Sequence, residues 1–154
     1  DVYKRQLIEK TGLSVVSRTE RVACSPTTSV LLGDTMGEVP LFYAASDVAF
    51  VAGSLVPIGG HNLLEPAAQA LPTITGPHLF NAQDIADMFV EMKACVIVNN
   101  KDELTLAVAD LLENPEKAFE LGRKGRSLLE KNKGSLVRLL VLVEPLLGQP
   151  ASTQ

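Results

Sequence analysis

The stretch Gly59-Gly60-His61-Asn62-Leu63-Leu64-Glu65-Pro66 gathers the groups in this chain best suited to hold a small anionic ligand. The glycine pair lets main chain approach a ligand closely. Asn62 reads as the N-cap of a helix whose first turn carries Glu65. A helix start has unpaired N–H groups and a partial positive charge, which suit a phosphate. Glu65 offers carboxylate oxygens to sugar hydroxyls. Together these residues describe a site for the phosphate and ribose of a nucleotide. Two more glycine-bearing loops follow short apolar runs: Gly33-Asp34-Thr35-Met36-Gly37-Glu38 and Gly76-Pro77-His78-Leu79-Phe80-Asn81. In open α/β sheets ligands bind beyond the carboxyl ends of the strands. Three such loops therefore point to a shared crevice.

Each of these residues also has a purely structural reading. Gly33, Gly76 and Asp34 are ordinary turn formers. His61 and His78 could cap or pack, and neither has a metal-ligand partner at helical spacing. Glu65 could simply complement the helix dipole, an effect of roughly 0.3–1 kcal/mol. Several chemistries are excluded by pattern. There is no Gly-x-Ser-x-Gly elbow. Gly-x-Gly-x-x-Gly and the phosphate-loop motif Gly-x-x-x-x-Gly-Lys-Ser/Thr are missing too. No Asp-x-Asp pair stands ready to hold a divalent metal. What is left is a metal-free anion site made of main chain, with no cofactor implied.

The elements that must position these loops alternate between strand and helix. Strands are expected over 13–16, 30–32, 47–52, 73–75 and 95–98. Residues 47–52 are apolar without alternation, as in a strand buried on both faces. Helices are expected over 3–10, 40–45, 64–70, 81–92, 100–112, 115–131 and 135–147. Pro40 and Pro115 suit a first helical turn, Asn81 a helix N-cap, and Pro72 ends the helix before it. The pattern predicts an α/β fold: an open, mostly parallel, Rossmann-like sheet with helices on both faces. One domain is expected over 1–148, followed by a disordered tail over 149–154.

The bulk numbers agree with one compact domain. The chain has 154 residues, 46% of them hydrophobic. Its net charge of −4 argues against a nucleic-acid partner. Cys24 and Cys95 form no metal or redox motif and read as reduced thiols. No apolar run approaches the roughly 20 residues needed to span a bilayer. The chain opens on Asp1 and a helical segment. A βαβ protein normally opens on a strand, so a fragment is expected, truncated at its N-terminal side.

Four motifs occur together and in order: Gly-Asp-Thr-Met-Gly-Glu at 33–38, Ala-Phe-Val-x-Gly-Ser-Leu at 49–55, Gly-Gly-His-Asn-x-x-Glu-Pro-Ala at 59–67 and Gly-Pro-His-x-Phe-Asn at 76–81. Across 7–147 the chain resembles the C-terminal half of bacterial 3-deoxy-D-manno-octulosonic acid (Kdo) transferases. The resemblance implies the donor-binding half of a two-domain GT-B glycosyltransferase, with CMP-Kdo as donor. It implies nucleotide contacts at Met36, Gly37, Glu38, Asn62, Leu63, Leu64 and Glu65, with Gly59, Gly60 and His61 as the supporting loop. A lipid A precursor would be the acceptor, bound by an N-terminal domain that also supplies the general base. No catalytic residue and no metal would then lie in this chain. The full-length enzyme would sit at the cytoplasmic face of the cell inner membrane, and the fragment would be soluble and inactive. The family usually has proline where this chain has Leu63, which should loosen the helix start. Its further nucleotide contacts, a Pro-Arg pair, would fall upstream of Asp1.

Two other readings compete. One is the donor domain of another GT-B enzyme that uses a UDP-sugar. The other is an α/β interaction scaffold. In the last expected helix, Leu136, Leu139, Leu140, Val143, Leu146 and Leu147 recur at helical spacing. That stripe reads as core, or as a face through which a truncated fragment could self-associate.

Overall fold

In a computed structural model, the structure describes residues 2–132 and residue 143. Apart from residue 143, the expected helix over 135–147 lies outside those described residues, as does the tail over 149–154. The chain divides into two compact units, Asp1–Ser46 and Asp47–Gln154.

The first unit opens with helix α1 (Val2–Glu9) and strand β1 (Val15–Ser17). A short 3-10 turn over Arg18–Glu20 follows, then β2 (Val30–Leu32) and α2 (Val39–Ala44). The two strands pair in parallel, Val15 opposite Val30 and Ser17 opposite Leu32. α1 is tied down by charge rather than by buried apolar surface, since none of its residues is buried. Arg5 donates to Glu9 at 3.0 Å and to Glu20 across the turn. Pro40 falls in the first turn of α2, where its missing N–H costs no hydrogen bond.

The second unit is built on three parallel strands in the order β3 (Ala49–Val51), β4 (Thr73–Thr75), β5 (Val96–Ile97). α3 (Leu64–Ala68) and α4 (Gln83–Glu91) link them. α5 (Lys101–Glu113) and α6 (Pro115–Asn132) follow. The strands are short and mostly hidden because this sheet is covered on both faces: β3 and β5 are apolar, and β4 buries Thr73 and Thr75 beside Ile74. Val51 joins Leu63, Ala67, Phe89 and Leu128 in one apolar cluster. Its neighbour Phe50 points the other way, as pleating requires, and packs with Ile74, Val96 and residues of α5 and α6. The expected helix cover on both faces is therefore realised in this unit. The α/β class and the parallel pairing hold throughout the described residues, with the hydrogen-bonded ladders divided into a two-stranded and a three-stranded sheet.

The helix expected over 100–112 is present, and Asn100 caps it, accepting from the Asp102 and Glu103 N–H groups at 3.0 and 2.9 Å. The expected N-cap at Asn81 is not formed. A 3-10 turn over Phe80–Ala82 precedes α4, and Asn81 spends its side chain elsewhere. Among the described residues no helix is long and apolar enough to cross a membrane. Burial pushes the Cys95 thiol up to about 11, so it stays protonated and is a poor nucleophile.

Candidate functional site

In the second unit the loops after β3 and β4 are sewn together by main-chain groups. Ser54 is fully buried. Its hydroxyl donates to the Val51 carbonyl at 2.6 Å and accepts from the Gly76 N–H at 2.8 Å. The Ser54 carbonyl accepts from the His78 N–H at 3.0 Å. Further out, the Asn81 N–H donates to the Gly59 carbonyl at 3.2 Å. The Asn81 side-chain amide donates to the carbonyls of Ile58 and Gly60 at 3.2 and 3.3 Å. This cross-loop clasp is why Asn81 does not cap α4.

The clasp also explains the glycines, and corrects the expected reason for them. Gly59 has φ of +106°, and a Cβ there would run into the Asn81 amide. A Cβ on Gly76 would run into the Ser54 main chain. Gly59 and Gly60 are buried. The room they create is filled by the neighbouring loop, so they shape the site rather than admit the ligand themselves.

The clasp leads directly into α3. The Gly60 and His61 N–H groups return to the Gly53 and Ala52 carbonyls at 2.9 and 3.2 Å. Asn62 then accepts from the Leu64 N–H at 3.0 Å, and its amide lies 3.4 Å from the Glu65 carboxylate. The N-cap position of α3 falls on Leu63, one residue later than expected, but Asn62 still satisfies the N–H of the first helical residue. Leu63 is 3% exposed and packs in the core. Where a looser start was expected, the leucine anchors it; toward a ligand, Leu63 can offer only main chain. His61, Asn62 and Glu65 are exposed and Leu64 is half-buried. α3 has only five residues, so little dipole accumulates along it. What this helix start can offer an anion is the N–H of Asn62, Leu63 and Glu65, which find no acceptor among the described residues.

The other candidate residues lie in the first unit. Met36 is almost wholly exposed, and Gly37 takes a φ of +80°. Glu38 is held at both oxygens: the Thr35 hydroxyl donates to one, and the Arg18 guanidinium donates to the other at 2.9 Å. The Thr35 hydroxyl and the Arg18 guanidinium keep its carboxyl below the usual carboxylate range, against desolvation. Asp34 is fixed in the same manner by Thr19, whose hydroxyl and N–H donate to it at 2.6 and 3.0 Å. Chiefly the Thr19 hydroxyl holds Asp34 below its ordinary range. A cleft of about 420 Å³ lies here, lined by Arg18, Thr19, Arg21, Thr35, Met36 and Glu38. Arg18 and Thr19 were not among the sequence candidates. They follow the carboxyl end of β1, so the positional rule that singled out the other loops reaches them too.

The model of the family "Glycosyl transferases group 1" matches residues 17–128, a span that contains every candidate residue of both loops. The chain belongs to the group 1 glycosyl transferases. Within the group 1 glycosyl transferases it is similar to the 3-deoxy-D-manno-octulosonic acid transferase of Haemophilus influenzae, 44% identical over 92% of this chain and 33% of that protein. The enzyme of the same name from Bordetella pertussis is 37% identical over 80% of this chain and 29% of its own length. This chain thus spans about a third of the curated relatives it matches. Among solved structures it resembles the C-terminal CMP-Kdo binding domain of WaaA from Acinetobacter baumannii. The TM-score is 0.77 at 35% identity, over 80% of this chain and 65% of that one.

Proposed function

We propose that this chain is the donor-binding part of a Kdo transferase and holds the cytidine monophosphate portion of CMP-Kdo. The observation that carries this reading is the likeness to a solved CMP-Kdo binding domain, in fold and at 35% identity. In this reading Met36, Gly37 and Glu38 on one loop, and Asn62, Leu63, Leu64 and Glu65 on the other, contact the nucleotide. Gly59, Gly60 and His61 support the second loop, and the domain extends over 1–148.

The proposed reaction transfers Kdo to a lipid A precursor in lipopolysaccharide synthesis, at the cytoplasmic face of the inner membrane. An acceptor hydroxyl loses its proton to a carboxylate outside this chain and attacks the anomeric carbon. The bond from that carbon to the phosphate oxygen breaks, CMP leaves, and the configuration inverts. The chain's own part is preorganised hydrogen bonding. Main-chain N–H groups of Asn62 and Leu63 face charge growing on the phosphate, and Glu65 holds ribose hydroxyls. The frame beneath them is closed without a ligand, by hydrogen bonds of the Ser54 and Asn81 side chains and of the main chain around them.

Calorimetry on this chain tests the reading. Weak binding of CMP, no binding of UDP, and no transferase activity are expected. Binding of UDP in preference to CMP would replace the donor with a UDP-sugar, and failure of CMP to bind at millimolar concentration would defeat the assignment.

A further inference from the structure

The loop that carries Met36, Gly37 and Glu38 is not held by its own residues alone. It is fastened to the 3-10 turn that follows β1, 15 to 20 positions earlier in the chain. Thr19 fixes Asp34 at the head of the loop through two hydrogen bonds. Arg18 fixes Glu38 at its tail with an ion pair of 2.9 Å. Thr35, within the loop, takes the second Glu38 oxygen. Arg18 and Glu38 are both partly shielded from solvent, 39% and 28% exposed in their side chains. A carboxylate has about four lone-pair sites, so Glu38 keeps capacity to accept from a ligand while being held at both oxygens. All three side chains line the same 420 Å³ cleft.

We propose that Arg18 and Thr35 are positioning residues for donor binding: they set the Glu38 carboxylate, and with it the Met36-Gly37-Glu38 turn, in the geometry that meets the nucleotide. Arg18 is not counted among the nucleotide contacts. It acts through Glu38, and a lysine in its place restores the charge but not the fixed fork of the guanidinium. The inference rests on the donor-nucleotide reading above.

The test uses the 154-residue chain and the variants Arg18→Met, Arg18→Lys and Thr35→Val. Two quantities are measured: CMP affinity by calorimetry, and the titration midpoint of the Glu38 carboxyl by carbon-detected NMR without ligand. Arg18→Met is expected to weaken CMP about fivefold and Arg18→Lys to recover part of that loss. The Glu38 midpoint should rise in Arg18→Met and in Thr35→Val, and a residue that merely filled space would not move it. Arg21, the other charged residue lining the cleft, is unchanged in every variant and keeps its contribution constant. If Arg18→Met fails to fold, Thr35→Val, which removes one hydroxyl, carries the same two readouts. Unchanged CMP affinity in the folded variants, or an unmoved Glu38 midpoint, overturns the proposal. Loss of CMP binding by the unaltered chain would instead overturn the donor reading, and this inference with it.

Discussion

At the scale of single residues, Glu65 and Glu38 do different work although both are carboxylates beside the same kind of loop. Glu65 is exposed, and among the described residues its side-chain partner is Asn62 at 3.4 Å, a long contact. Glu38 is held by two donors. Glu65 is thus the freer acceptor for ligand hydroxyls, and Glu38 the better fixed. Hydrogen bonds to a charged partner are worth roughly 1.5–3 kcal/mol. Glu65→Ala should therefore weaken CMP binding by tenfold or more while leaving the melting temperature almost unmoved. Calorimetry alongside a thermal melt checks both halves; unchanged affinity removes Glu65 from the site.

At the scale of elements, the second unit depends on two loops lying against each other so closely that no Cβ fits at Gly59 or Gly76. Gly76→Ala would push a methyl into the Ser54 main chain and disturb the hydroxyl that bonds Val51 and Gly76. Overpacking of this kind costs about 1–3 kcal/mol, so a clear drop in the denaturant midpoint is expected, with CMP binding lowered too. The elements themselves were largely legible in the sequence. β2 and β4 fall on the expected residues because a short apolar run and a short β-branched run, each ended by glycine, are strong local signals. The α5 cap is local as well, with donors two and three residues beyond Asn100. The clasp was not legible. Asn81 reaches carbonyls 21 and 23 positions away, and its local context reads equally well as a helix cap. The turn over Arg18–Glu20 escaped for the same reason, since its partners Asp34 and Glu38 lie 15 and 20 residues on. Sequence patterns report neighbours along the chain, and both of these arrangements are made by neighbours in space.

At the scale of the whole molecule, the two units differ in what holds them. The second is centred on two apolar clusters around Phe89 and Ile74. The first leans on carboxylates: Glu20, Asp34 and Glu38 all titrate below their ordinary values, held by Ser17 and Arg5, by Thr19, and by Thr35 and Arg18. A depressed carboxyl stabilises the fold above its unfolded value, and that contribution is lost as pH falls through the folded value. The ordinary values are 4.5 for glutamate and 3.8 for aspartate. Acid below about pH 4.5 should therefore loosen Asp1–Ser46 before Asp47–Gln154, whose one comparable depressed carboxyl among the described residues is Glu103. Hydrogen exchange at pH 6 and pH 3 would show it as an earlier loss of protection in residues 2–46; equal loss in both units would refute it. The Ser54–Gly76–Asn81 clasp also bears on redesign. Glu65 is exposed on a frame whose bonds are made by Ser54, Asn81 and main chain, so its side chain is not needed to keep the loop's shape. A library at position 65 can sample new nucleotide preferences on a backbone that Ser54 and Asn81 keep closed, whereas one that varies 59, 76 or 81 spends its members on chains that no longer close the loop.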